Sequence, residues 1–340
     1  MTRTAFVLGA TGQIGHATIT ALLADGWDVT AASRGKNPAA LPDGTRTVTV
    51  DRSDTAALSS AIGDGVDLLV DTIAFTAEDG RGLRTLAGRV GSAVVISTGA
   101  VYTDTDGHAL GDEVFPAFPD PIPETQPTSD PTLGGYGPDK VALENELLAA
   151  GSELPTTLLR AGTVHGRLSA IPREWYFVKR ALDRRPVRIL AHGGATVFHP
   201  IAAANLAELV RLAGHRPGSR VLNAGDPKPP TAREIGAAVG AVMGHLPEEI
   251  ILDGPPPADS IGDSPWTLKG NFVMDMSRAA RELGYEPVTG YAESLPDYIA
   301  WLIETTEGRD WREALPGTKL LGGDAMFDYA AEDAWLAARR

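Results

Sequence analysis

The sequence predicts an α/β fold: a doubly wound parallel sheet with a smaller C-terminal α/β subdomain. Two patterns predict it. Short runs of β-branched and apolar residues alternate with helical patterns through the N-terminal half. Such alternation implies right-handed βαβ units and a sheet covered on both faces. The first of these strands also runs into three glycines, Gly9, Gly12 and Gly15, which open a helix. A turn of this kind brings bare backbone N–H groups and a helix N-terminus to a phosphate.

The elements follow in order. Residues 4–8 form a strand, and 13–23 a helix that stops at Asp25-Gly26. Residues 27–33 and 45–51 are the next two strands, and 55–62 a helix. "VDLLVDTIA" (66–74) reads as a buried strand because its apolar run does not alternate. Residues 78–90 read as a helix and 92–98 as a strand. Then the texture changes. Residues 102–135 are rich in Pro, Gly and Asp, and a loop this long inside a compact domain is usually functional or mobile. An amphipathic helix at 140–150 and the strand "PTTLLRAGTV" come next.

Beyond Gly166 the order is less regular. Residues 175–182 and 203–212 read as helices, "RVLNAGD" as a strand and turn, 231–243 as a helix with a threonine cap, and "EEIILD" as a strand. A helix at 278–283 stops at Gly284. The C-terminal stretch carries Trp311, Phe327, Tyr329 and Trp335. Such an aromatic tail is expected to pack on the body or on a partner subunit.

Composition narrows the function. A chain of 340 residues with 43% hydrophobic content can bury a sizeable core. Its formal charge of −14 repels phosphate backbones and anionic headgroups, and no dense Lys/Arg cluster offsets it. No nucleic-acid or membrane partner is expected. The absence of cysteine excludes disulfides, thiolate nucleophiles and cysteine-ligated metals. The seven histidines show no metal-ligand spacing, so no metal is expected. No apolar window approaches the roughly 20 residues of a membrane span, and "AFVL" is too short for a signal-peptide core. A cytoplasmic protein is expected.

The glycines divide their work. Gly9 makes the tight turn, Gly12 leaves room for a phosphate, and Gly15 lets the helix sit close to the strand. The second strand ends at Ser33-Arg34. An acid there favours NAD, whereas an arginine accommodates the 2′-phosphate of NADP; the plain alternative is a solvated surface arginine. The third strand ends at Asp51-Arg52, where a carboxylate can accept from an adenine amino group. Far downstream, "GGYGPDKVALENELL" places Tyr136 and Lys140 one helical turn apart, on one face. A tyrosine has a pKa of about 10. A neighbouring ammonium stabilises the phenolate and lowers that value. Thr98 ends the strand "VVIST", where its hydroxyl can hold a substrate oxygen near Tyr136.

Together these motifs resemble the extended branch of the short-chain dehydrogenase/reductase superfamily, the NAD(P)-dependent epimerase/dehydratase family, whose sheet is of the Rossmann type. "VLGATGQIG" resembles that branch's GxxGxxG turn. "VVISTGAVY" resembles the strand with the catalytic Ser or Thr, four residues before a V-Y tyrosine, and so selects Thr98 over Ser97. "YGPDKVALE" resembles the active-site helix, down to Glu144 four after the lysine. "LLRAGTVHG", "FHPIAAANLAELV", "VLNAGD" and "RAARELGYEP" match further landmarks in order. The resemblance covers residues 4–295.

The resemblance implies roles. Tyr136 is the general acid/base. Lys140 lowers its pKa and binds the nicotinamide ribose, and Thr98 orients the substrate oxygen. Gly9, Gly12, Gln13, Ile14 and Gly15 surround the pyrophosphate. Arg34 faces the adenosine ribose, and Asp51 and Arg52 the adenine. Ala74 lines the cofactor, and Ala161 and Val164 the nicotinamide side. It also implies a cofactor-binding domain over 1–165, with a return of the chain near 195–225. A substrate-binding subdomain follows over 166–306 and a tail over 307–340. A homodimer is compatible with it.

The chain departs from the family at informative places. Gly99-Ala100 stand where 4,6-dehydratases of nucleotide sugars carry an Asp-Glu pair, so that elimination is rejected. Thr163 replaces an asparagine common in nucleotide-sugar members, and "ATVFHPIAAANLA" lacks their arginine and acids. Arg167, Arg173, Lys179 and Arg188 can grip a diphosphate or be solvated charges. Thr163, Trp175, Tyr176 and His199 are the candidate substrate residues. Trp175, Tyr176 and Phe177 read equally as core, and His199 as a core histidine. The expected function is an NADP(H)-dependent oxidoreductase acting on a carbonyl or alcohol of a small metabolite, with NADP(H) favoured over NAD(H) by Arg34. The alternatives are an NAD-dependent nucleotide-sugar epimerase, which Gly99-Ala100 permits, and a non-catalytic RNA-binding relative suggested by "WYFVKRALDRRPVRI". The acidic charge and the intact Thr98, Tyr136 and Lys140 argue against the last.

Overall fold

The computed structural model describes residues 2–35, 40–258 and 261–339. The chain forms two compact units. The first comprises Met1–Gly162, Ala203–Pro227 and Met274–Val288; the second comprises Thr163–Ala202, Lys228–Val273 and Thr289–Arg340.

The first unit is built on β1 (Thr4–Leu8), α1 (Gln13–Ala24), β2 (Asp28–Ser33), β3 (Arg46–Thr49), α2 (Thr55–Ile62), β4 (Val66–Asp71), α3 (Ala77–Arg84), β5 (Val90–Thr98), α4 (Tyr136–Leu148) and β6 (Thr156–Ala161). The returning chain adds a helix, Ala203–His215, and a strand, Arg220–Ala224. The strands form one seven-stranded sheet, ordered Arg220–Ala224, β6, β5, β4, β1, β2, β3, and every pairing is parallel. From β1 the chain works outward to β3, then crosses to β4 and works the other way. The switch between β1 and β4 opens a crevice beyond their carboxyl ends, where ligands of such sheets bind.

Both faces of the sheet are covered, which is why the centres of β4 (Leu68, Leu69 and Val70) and of β5 are consecutive buried apolar residues. Ala93, Val94, Val95 and Ile96 of β5 are all buried. On one face Leu58 and Ile62 of α2, Leu83 of α3 and Leu143 and Leu147 of α4 pack with Phe6, Leu8, Leu69, Val95 and Leu158. Each fully buried leucine contributes about 2 kcal/mol of transfer free energy. On the other face α1 packs beside the Ala203–His215 helix.

Several boundaries differ from the sequence reading, and most of the larger shifts have a local reason. The strand expected over 66–74 ends at Asp71, because the Asp71 carboxylate accepts the N–H groups of Ile73 and Ala74 at 2.9 and 2.7 Å and turns the chain. The helix expected over 78–90 is capped by Thr76 and ends at Arg84. A turn with Gly88 at φ +81° then leads into β5 at Val90. The helix expected from 140 begins at Tyr136, because Gly135 at φ +102° makes the entry turn. The helix expected over 203–212 runs on to His215. The irregular segment after β5 is pinned through Asp104, whose carboxylate accepts the N–H groups of Asp106, His108 and Ala117. The Ala117 N–H is foremost in holding that carboxyl down to about 2.

The second unit has two short parallel pairs, Thr163–His165 with Pro200–Ala202 and Val187–Leu190 with Glu248–Ile251. Helices Trp175–Leu182, Ala232–Met243 and Tyr291–Thr306 close round a core that includes Trp175, Tyr176, Phe177, Trp266 and Tyr298. The C-terminal stretch belongs to this unit. Arg180 donates to both carboxylate oxygens of Glu332 and to the Met326 carbonyl. Trp311 and Phe327 lie against Trp175 and Tyr176. Among the described residues no helix is long and apolar enough to cross a membrane, and no cluster of His, Cys, Asp or Glu could hold a metal ion.

Candidate active site

The glycine turn is explained residue by residue. Gly9 has φ +78°, and a Cβ there would strike the Thr72 hydroxyl oxygen. A Cβ at Gly15 would strike the Gly9 carbonyl oxygen and lie 2.8 Å from the Ala10 Cα. Both glycines are demanded by the protein itself, Gly9 by its positive φ and the neighbouring side chains and Gly15 by the backbone beside it. Gly12 is different: a Cβ there would meet only the Gly9 carbonyl oxygen, at 3.4 Å. The protein's own packing therefore leaves room for a side chain at Gly12 that the chain does not use. Gly12 caps α1, which carries no acidic residue in its first turn to compete with an anion.

A cleft at the ends of β1 to β4 is lined by Gly9, Gly12, Ser33, Arg34, Asp51 and Arg52, together with Leu8, Thr11 and Ile73. The fold thus gathers five of the candidate cofactor residues, Gly9, Gly12, Arg34, Asp51 and Arg52. Arg34 is exposed there and makes no ion pair or hydrogen bond that the described residues show. Asp51 accepts from the Ser53 N–H at 3.0 Å and its hydroxyl at 2.8 Å, shaping the turn after β3.

Arg52 is held more firmly. Its guanidinium donates to Asp71 through Nε and Nη2 at 3.1 and 2.7 Å, and to Asp79 through Nη1. The Asp71 side chain is fully buried. Asp71 also accepts the N–H groups of Ile73 and Ala74, and Asp79 those of Phe75 and Thr76 at 2.7 and 2.9 Å. Burial pushes the Asp79 carboxyl up, but the Thr76 and Phe75 N–H groups and Arg52 outweigh it and hold it below its usual value. Four successive N–H groups therefore end on two carboxylates that share one arginine.

The next contact reaches the candidate catalytic group. Lys140 Nζ donates to the carbonyls of Ala74 at 2.6 Å and Ile96 at 3.0 Å. Two of its three N–H groups are thus used, and one remains for a ligand hydroxyl. Burial pushes this ammonium down to about 8, against the opposing pull of Asp71, Asp79 and Glu144. Tyr136 begins α4 and is 54% exposed. The Phe75 ring lies 5.5 Å from the Tyr136 ring and 5.6 Å from Lys140 Nζ.

Thr98 and Ser97 are adjacent but have different neighbours. The Ser97 hydroxyl donates to Glu144 at 2.5 Å in a buried network. Glu144 is gripped by Arg160, and burial and this pairing act on Arg160 in opposite directions, leaving its pKa raised. Thr98 ends β5, and its oxygen accepts the Ala100 N–H at 3.1 Å, so its own proton is left to donate. Behind this pair, Tyr102 donates to Asn223 at 2.5 Å, and burial pushes its phenol up to about 12.

The remaining candidates are dispersed. Ala161 ends β6 directly opposite Thr98 in the sheet register. Gln13 and Ile14 open α1. Thr163 and Val164 belong to the second unit, where the Thr163 N–H donates to the His199 carbonyl at 2.9 Å. His199, Trp175 and Tyr176 are 1%, 3% and 1% exposed and lie within that unit's interior. The two aromatics are therefore core side chains. Sequence reasoning passed over Phe75, Asp71 and Asp79. Two signals marked the carboxylates: Asp71 interrupts an apolar run, and Asp79 stands three residues after Thr76 in a capping pattern.

Known proteins resemble this chain in sequence and in fold. A 2′-dehydrokanamycin reductase of Streptomyces kanamyceticus is 28% identical over 313 residues, covering 87% of this chain and 84% of that protein. A UDP-glucose 4-epimerase structure superposes with a TM-score of 0.69 at 17% identity, covering 91% of this chain and 99% of the other. A dTDP-glucose 4,6-dehydratase of Bacillus anthracis, in complex with NAD, superposes with a TM-score of 0.68 at 15% identity, covering 92% and 99%. These likenesses show a shared fold. The profile of the "NAD dependent epimerase/dehydratase family" matches residues 5–197, more than half of the sequence. The chain therefore belongs to the NAD-dependent epimerase/dehydratase family, enzymes that work with a nicotinamide cofactor.

Proposed function

We propose that this enzyme is an NADPH-dependent reductase of a carbonyl group on a small metabolite. The observation that carries the reading is Arg34: exposed, lining the cleft and without an ion-pair partner among the described residues. It stands where an acid would hold the ribose of NAD. The residues fit the group. The open side of Gly12 and the start of α1 would cradle the pyrophosphate, Arg34 would pair with the 2′-phosphate, and Lys140 would offer its third N–H to the nicotinamide ribose. That the relative from Streptomyces kanamyceticus is named a reductase supports the direction.

When bound, the cofactor supplies hydride. The protein's part is to hold the substrate oxygen and to move a proton. Thr98, its oxygen committed to the Ala100 N–H, donates to the substrate carbonyl. Tyr136 gives its phenolic proton to the oxygen as that oxygen gains charge. The Lys140 ammonium lies behind Phe75 and is shielded from water, so its charge stabilises the phenolate left behind. The exposure of Tyr136 lets it recover a proton from solvent.

The test is a fluorescence titration of purified protein with NADPH and with NADH. NADPH is expected to bind more tightly. Arg34→Glu is expected to erase that preference, since a charge-assisted hydrogen bond contributes about 1.5–3 kcal/mol, or about 10- to 100-fold. Equal affinity for the two cofactors in the unaltered protein sinks the NADP assignment. Interconversion of UDP-hexoses without net cofactor change would favour an epimerase instead.

A further inference from the structure

We propose that Arg52, Asp71 and Asp79 form a positioning clamp that fixes the turn 73–76 and, through it, the catalytic pair Lys140 and Tyr136. The inference rests on the functional reading above for the roles of that pair. It gives Arg52 work other than contact with adenine.

The geometry is a chain of direct contacts. The three-pronged guanidinium ties the turn after β3 to the end of β4 and to the start of α3. The two carboxylates it joins accept every N–H from Ile73 to Thr76. A turn with all four amides tied down has little freedom to move. Its carbonyl at Ala74 receives Lys140 Nζ at 2.6 Å, and its Phe75 ring lies against both Tyr136 and Lys140. One end of the clamp is thus in the cleft wall, where Arg52 lines the surface, and the other supports the proton-transfer groups. The charged groups round Lys140 are Asp71 from β4, Asp79 from α3, Glu144 from its own helix and Arg52 itself.

Arg52→Lys separates charge from geometry. It keeps the positive charge and removes the planar fork that spans two carboxylates. With NADPH and a reducible ketone, kcat is expected to fall on the order of a hundredfold, the cost of a misplacement near 1 Å. The dissociation constant for NADPH is expected to stay within about threefold. In cofactor-free protein, amide exchange at residues 73–76 is expected to speed up by at least about tenfold. The titration of Lys140, followed by carbon-13 NMR of labelled lysine, is expected to move as well. Asp79→Asn, nearly unchanged in shape, is expected to do the same and serves if Arg52→Lys does not fold by circular dichroism. Unchanged exchange and an unchanged Lys140 titration in both variants overturn the clamp. Weakened NADPH binding with normal kcat overturns it too, and returns Arg52 to the adenine. If the unaltered protein reduces no carbonyl with NADPH, the functional reading fails, while exchange and the Lys140 titration still decide the clamp.

Discussion

Lys140 shows what a buried ammonium costs. An ammonium 6% exposed and held by two carbonyls is a charge taken out of water. Its pKa falls from 10.5 to about 8 because burial outweighs three nearby carboxylates. The unfolded chain keeps the ordinary value. Below about 8 both states hold the proton, and folding bears a penalty of roughly 3 kcal/mol at 1.36 kcal/mol per pKa unit. Between about 8 and 10.5 the unfolded chain binds the proton and the folded chain does not, so stability rises with pH across that window. Two outcomes are expected. The kcat/KM for carbonyl reduction falls on the alkaline side with an apparent pKa near 8, because it reports the free enzyme. Lys140→Met loses activity, and denaturant titrations at pH 7 and pH 10 show the stability difference between the two proteins moving in favour of the unaltered one as pH rises. A difference independent of pH would refute the assignment of that proton to Lys140.

At the scale of elements, the β1–α1 turn shows three glycines present for different reasons. Gly9 answers to its own positive φ and to the side chains of Thr72 and Ile73, Gly15 to the backbone beside it, and Gly12 to neither; the proposed function gives Gly12 to the cofactor. Gly12→Val is therefore expected to keep the fold and its melting temperature within a few degrees, and to abolish saturable NADPH binding. Gly15→Val drives a side chain into the Gly9 carbonyl and is expected to destabilise by several kcal/mol, beyond the usual 1–3 of overpacking, because backbone cannot yield as a side chain does. Thermal melts and cofactor titration on the pair check both. Cofactor binding that survives in Gly12→Val would end the phosphate-cradle reading. Element boundaries obey the same local chemistry. β4 stops where Asp71 captures two amides, and α4 begins where Gly135 turns with φ +102°. An apolar-run reading cannot see the first, because it weighs Ile73 and Ala74 as strand residues and ignores where their N–H groups go. It cannot see the second, because residues 134–136 carry no periodicity of their own.

On the scale of the whole molecule, the second unit is stabilised from its far end. The charges of Arg180 and Glu332 are both almost fully buried and meet at 2.6 Å. Burial pushes Arg180 down, but the Tyr176 and Glu332 contacts leave its pKa raised. Removing one member of such a pair strands the other. Glu332→Ala is expected to cost about 3–5 kcal/mol, while replacing both residues with apolar ones of similar volume is expected to cost far less. Denaturant unfolding followed by tryptophan fluorescence reads the difference. A loss in the single variant below about 1 kcal/mol would place the pair in the class of surface ion pairs. The aromatic content of the last residues foretold that this stretch packs, but which arginine it would reach was hidden, since 152 positions separate the two partners.

The sequence by itself determined what depends on near neighbours along the chain. Alternating runs set a doubly wound parallel sheet, three glycines set the strand–turn–helix entry, and a spacing of four put Tyr136 and Lys140 on one face of α4. These are local rules of periodicity and backbone freedom, which operate before any long-range contact forms. Only the tertiary structure decided which polar groups meet. It gave Ser97 to Glu144 and left the Thr98 proton to donate. It joined Arg52 to Asp71 and Asp79, 19 and 27 positions away, and placed Trp175 and Tyr176 in a core. The reason is physical. Charged and hydrogen-bonding side chains on separate strands and helices choose partners by sheet register and burial, and neither is a property of any one stretch of sequence.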